Sequence, residues 1–132
     1  MRRWSGGFLL AALTGCLEAN LPEVVTGNWG GQHLGLVASS AGATLEYDCA
    51  TGNIAEPIRP DGTGRFSVSG EHFPGHGGPS LVDETPIRRP ARYDGSVRGD
   101  VMTLLVTLTD TQEVLGSFTL RLGQTPYVFK CL

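Results

Sequence analysis

From Ala43 to Cys49 the chain alternates apolar and polar residues without a break. Ala43, Leu45, Tyr47 and Cys49 fall on one side of an extended backbone, and Thr44, Glu46 and Asp48 fall on the other. Apolar positions on a helix recur every three or four residues, so a period of two defines a strand with one wet and one buried face. The same period returns through most of the chain and leaves little room for anything but a β protein.

In chain order, residues 32–38 place Leu34, Leu36 and Ala38 together, and Ser39-Ser40-Ala41-Gly42 turns into the 43–49 strand. Ala50-Thr51-Gly52 is expected as a hairpin loop ending on the glycine, followed by a short strand at 53–58. Pro60-Asp61-Gly62-Thr63-Gly64 is a turn, because proline presets φ and glycine permits the reversal. Residues 65–72 alternate with Phe66 and Val68 inward. The period is then lost from 73 to 88, where three prolines and three glycines cannot continue a ladder. A segment of that length is either a functional loop or a passive cover. Strand character resumes at Arg89, with Ala91, Tyr93 and Val97 on one face, and Gly99-Asp100 turns the chain into 101–108. There Met102, Leu104, Val106 and Leu108 share a side. Residues 114–122 carry Phe118, Leu120 and Leu122 together, and a last strand at 127–131 carries Tyr127, Phe129 and Cys131 together.

These are eight strands with no helix after residue 16, no internal repeat and no second domain. The 19 glycines and eight prolines fit many turns and short strands. The fold class predicted is all-β, a single eight-stranded antiparallel meander. Such a sheet avoids exposed edges by closing into a barrel.

The N-terminus reads as a targeting segment. Arg2 and Arg3 precede the apolar run Phe8-Leu9-Leu10-Ala11-Ala12-Leu13, which ends in Thr14-Gly15-Cys16. The run is far shorter than the roughly 20 residues that cross a bilayer, and the order of charge, apolar run and small residues is that of an export signal. Leu13-Thr14-Gly15-Cys16 resembles the lipobox of bacterial lipoproteins. That resemblance covers residues 1–16. It implies a signal peptide at 1–15, lipidation of Cys16, a lipidated tether at 16–26 and a barrel domain at 27–132. Leu17 after the cysteine, where an Asp would retain the protein at the inner membrane, implies the outer membrane facing the periplasm in a Gram-negative host. An ordinary secretory signal would export the same domain.

Loss of Arg2 and Arg3 from ten basic residues leaves eight against 13 acidic ones, moving the formal charge from −3 to −5. The lipid alone would then hold the chain to a membrane. No basic block offers a nucleic-acid footprint. Export to an oxidising compartment makes a disulfide between Cys49 and Cys131, both on inferred inward faces, the expected pairing.

Gly27-x-Trp29, just ahead of the first alternating segment, resembles the GxW motif of the lipocalin and calycin barrels, whose tryptophan plugs the closed end. The resemblance implies a calycin-like barrel. The chain departs from lipocalins in length and in lacking a C-terminal helix. It is closer in size to avidin-like barrels and small calycin-type protease inhibitors, and none of their ligand-contacting residues can be matched here.

The aromatic residues Trp29, Tyr47, Phe66, Tyr93 and Phe118 are the candidate ligand-contacting set; they either fill a barrel of this size or line a pocket in it. His72 and His76 are the candidate metal ligands, with Asp83 or Glu84. Their spacing suits a helix, which Pro74-Gly75 forbids, so any site would lie on a loop, and surface histidines are the alternative. Arg98-Gly99-Asp100 spells an integrin-binding tripeptide, but a hairpin asks for the same residues. There is no GxSxG elbow and no Walker or Rossmann phosphate loop. No catalytic residue and no cofactor is therefore expected. The function expected is a non-enzymatic, lipid-anchored envelope protein that binds a small apolar ligand or an envelope protein. The alternative is a periplasmic protease inhibitor or other interaction module with a filled barrel, and an envelope enzyme comes last.

Overall fold

Alternation is realised as eight strands in a computed structural model, which describes residues 23–132; the signal peptide, Cys16 and most of the tether lie outside the described residues. The strands are β1 (Gly27–Gly31), β2 (Leu34–Ser39), β3 (Gly42–Tyr47), β4 (Ala50–Ile54), β5 (Arg65–Pro74), β6 (Arg89–Arg98), β7 (Val101–Leu108) and β8 (Glu113–Leu122). Each pairs antiparallel with its neighbour in sequence, and β1 also pairs with β8 through Trp29↔Leu122, Gly30↔Arg121 and Gly31↔Leu120. The sheet is a closed barrel without a free edge.

Inward residues fill the body of the barrel. Leu34, Leu36, Ile54, Tyr93, Met102, Leu104, Leu108 and Leu120 are fully buried. Small positions face large ones. A Cβ on Gly52 would sit 2.8 Å from the Tyr93 hydroxyl, and one on Gly70 would sit 2.7 Å from the Tyr93 ring. Those two glycines make the room that the Tyr93 phenol occupies. One end of the barrel is shut by Val25 and Ile58, both fully buried, with the Val25 N–H donating to the Ile58 carbonyl at 2.8 Å. The packed domain thus begins inside the stretch read as tether. Trp29 is buried near this end and donates its indole N–H to the Thr26 carbonyl at 3.1 Å.

The strand count agrees with the sequence reading but the membership does not. Residues 27–31 are a strand of their own, and Gln32-His33 is a turn rather than a strand start. Residues 50–52, expected as a hairpin loop, belong to β4, and the turn falls at Asp48-Cys49, with Cys49 at φ 51°. Cys49 is therefore half-buried in a turn and not on the buried face of β3. Strand β4 ends at Ile54, and β5 runs on to Pro74.

The last strand, at 127–131, does not form. With β1 already paired to β8, the ladder is complete and a further strand has no edge to join. The C-terminal residues instead run as a strap over the outside of β1 and β2 and along the other end of the barrel. Among the described residues their one β-bridge to the sheet is parallel, Gln32↔Tyr127. Tyr127 and Phe129 are more than half exposed, and Cys131 is exposed, contrary to their inward placement from the sequence. Close approach of the strap explains two glycines, Gly30 and Gly35, which are partners in the β1–β2 ladder. A Cβ on Gly30 would lie 2.1 Å from the Gln124 carbonyl oxygen, and one on Gly35 would lie 2.8 Å from the Pro126 ring. Cys49 and Cys131 form the expected disulfide across 82 residues, with Cα atoms 4.6 Å apart.

Candidate functional site

The end opposite Val25 and Ile58 is open. A cavity of about 440 Å³ lies in this mouth, lined by His33, Tyr47, Asp48, Ala50, His72, Leu115, Gly116 and Phe118. Its floor comes from strand interiors and its rim from turns. Tyr47 ends β3 and His72 lies near the end of β5, both facing inward and both over nine-tenths buried. Their rings meet edge to face at 5.1 Å, and Phe118 of β8 meets Tyr47 at 6.0 Å in the same manner.

Strand β8 brings Leu115 to the mouth by an irregularity. Val106 pairs with Gly116 and Thr107 pairs with Val114, so Leu115 is an extra residue in a β-bulge. A bulge breaks alternation and re-aims side chains. On β7, Val106, Thr107 and Leu108 are accordingly all buried.

The rim carries two polar clusters. Because Leu34 pairs with Tyr47, the next residues outward, His33 and Asp48, stand opposite each other in adjacent turns. His33 Nδ1 and Asp48 Oδ2 are 2.5 Å apart. The other carboxylate oxygen of Asp48 accepts the Phe129 backbone N–H at 2.7 Å, so this side of the rim is tied to the strap. Across the mouth, Arg89 is the register partner of His72 on β6. Its guanidinium donates to both carboxylate oxygens of Asp110, at 2.8 and 3.2 Å, and to the Thr111 hydroxyl. The hydrogen bond from Arg89 holds the Asp110 carboxyl below its ordinary value.

Among the described residues, two buried side-chain polar atoms in this mouth have no partner of standard hydrogen-bond geometry. They are the Tyr47 hydroxyl and His72 Nδ1, both sealed from water. Burial pushes the Tyr47 phenol far above its ordinary value, and the nearby Tyr93 phenol adds to this. The Tyr93 hydroxyl itself donates to the Glu71 carbonyl at 3.1 Å. Burial also pushes the His72 imidazole below its ordinary value; Arg89 lowers it further and Glu113 opposes.

Of the five aromatic residues singled out from the sequence, Tyr47 and Phe118 line the mouth, while Trp29, Phe66 and Tyr93 fill the barrel body. The pairing of His72 with His76 as metal ligands does not form. The strand carries His72 into the barrel interior, whereas His76 lies on the exposed 75–88 loop, paired with Glu84 and with its Nδ1 donating to the Gly77 carbonyl at 2.9 Å. Among the described residues no group of three His, Cys, Asp or Glu side chains could hold a metal ion. Sequence reasoning missed His33 and Asp48. Its own Ser40-Ala41 turn contained the signal, because that register, carried outward past Leu34 and Tyr47, sets the two side by side.

No protein-family model, no curated protein and no solved structure matches this chain.

Proposed function

We propose that this protein is a non-enzymatic binding module, carried by an exported, lipid-anchored envelope protein, that takes a small and mainly apolar molecule into the barrel mouth. The observation that carries the proposal is the open cavity of about 440 Å³ itself, walled by Tyr47, His72, Leu115 and Phe118 with the polar His33 and Asp48 at its rim. The cavity volume lies within the range of about 300–1,000 Å³ typical of small-molecule sites, and its mix of aromatic walls and few polar groups is the usual one.

Native mass spectrometry of the protein taken from its own envelope tests this directly. A retained small molecule, lost on denaturation, is expected. Protein that carries nothing and takes up no small amphipathic compound in solution would overturn the proposal.

A second reading, a module for a protein partner, draws on a different observation. The 75–88 loop projects Leu81, Val82 and Ile87 into solvent with at least 64% of each exposed, and exposed apolar groups of this kind mark interaction surfaces. Replacing all three by serine leaves small-molecule uptake unchanged under the first reading and abolishes partner capture under the second.

A further inference from the structure

We infer that the molecule bound in the mouth carries a hydrogen-bond donor, a hydroxyl or amino group, at the polar end of its apolar body, and that Nε2 of His33 receives it. This rests on the binding function proposed above and specifies the ligand of the same site.

The chemistry follows from what Asp48 imposes on the ring. An ionised carboxylate offers only lone pairs, so the hydrogen shared between His33 Nδ1 and Asp48 Oδ2 belongs to the ring nitrogen. In a neutral imidazole the other nitrogen is then a bare acceptor. Asp48 cannot turn away, because its second oxygen is held by the Phe129 N–H, and the Phe129 carbonyl in turn accepts the Cys49 N–H at 3.0 Å.

The His33 backbone is fixed as well. Its φ is 69°, an uncommon region for a residue with a side chain, and its N–H donates to the Tyr127 carbonyl at 2.7 Å. The ring leans on Phe129 at 5.9 Å. His33 therefore lines the cavity in one tautomer, and its Nε2 makes no hydrogen bond among the described residues. The other charged groups at the rim are occupied, Asp48 by His33 and Phe129, and Arg89 by Asp110 and Thr111. A ligand ending in O–H or N–H completes the arrangement. A ligand ending in an ether or ketone oxygen sets lone pair against lone pair.

The test uses the full oxidised chain at about pH 8, titrated by NMR with 4-methylphenol and with its methyl ether. The phenol is expected to bind about three- to tenfold more tightly, the equivalent of one net hydrogen bond, with the His33 Nε2 resonance moving on binding. In Asp48→Asn the amide oxygen still serves the Phe129 N–H, so the amide NH₂ faces Nδ1 and drives the ring hydrogen to Nε2. The preference should then vanish or reverse. His33→Gly, which suits the positive φ and removes the ring, should abolish the preference even if the Asp48 variant does not fold. Equal binding of the two probes by the native protein, or an unchanged preference in either folded variant, overturns the inference and leaves the binding function standing. Binding of neither probe overturns both.

Discussion

Burial seals Tyr47 Oη and His72 Nδ1 from water, and neither makes a hydrogen bond of standard geometry. Tyr47→Phe removes that hydroxyl and keeps the aromatic wall of the mouth, so it should raise unfolding stability by about 1 kcal/mol. Chemical denaturation of the two proteins side by side checks the sign. His72 makes the fold sensitive to acid. Its folded value lies below the ordinary 6.5, so the unfolded chain binds a proton that the folded chain resists. The stability it contributes is complete above 6.5 and is lost as pH falls through the depressed folded value. The melting temperature should drop as pH is lowered from about 7 to about 5, and His72→Leu should flatten that drop. His76 has the opposite sign. The Gly77 carbonyl and Glu84 raise its value, so its contribution is present below 6.5 and fades as pH rises. It is exposed on a loop, and the His72 trend should dominate the profile.

The C-terminal strap is the element that most alters the reading of the chain. It runs from the outside of β1 and β2 to the rim, where Tyr127, Phe129 and Cys131 hold Gln32-His33, Asp48 and Cys49 in turn. Cys131→Ser should cost up to about 4–5 kcal/mol of stability in the chain-entropy picture for a bridge spanning 82 residues. It should also speed amide exchange at Tyr127 and Phe129, whereas the barrel strands stay protected. Gly30→Ala, which drives a methyl group against the Gln124 backbone, should destabilise by about 1–3 kcal/mol. Gly62→Ala meets nothing within 4 Å and serves as the neutral comparison. Strands with clean alternation, β2, β3, β6 and β7, were legible because each has one face in the barrel. β1 was not, since Gly30 and Gly31 are there for what approaches their backbones, and a strand propensity does not record that. Tyr127, Phe129 and Cys131 alternate as a strand would, yet alternation says nothing of whether a ladder has an open edge. Tyr47 and Phe118 were legible as inward aromatic residues. The His33–Asp48 pair needed a register, and Leu115 needed a bulge that no residue type announces.

For the molecule as a whole, an antiparallel meander closed into a barrel was readable from the alternating segments, seven of which are strands while 127–131 stood in for β1, and a packed interior from their apolar faces. Whether that interior would be solid throughout or open at one end depended on side-chain volumes at each level. Tyr93 fills the middle, and beyond it Tyr47, His72 and Phe118 line the open cavity. Cys16→Ser should abolish fatty-acid labelling and release the protein from membranes, and continued labelling of the variant would refute lipidation at that residue.

The contact between Val25 and Ile58 bears on orientation. It places the start of the described chain at the shut end of the barrel, so whatever holds the preceding residues holds the molecule by its base. Under the lipid anchoring proposed above, the mouth, the strap and the 75–88 loop would all face away from the membrane, and a ligand would reach the mouth from the aqueous side.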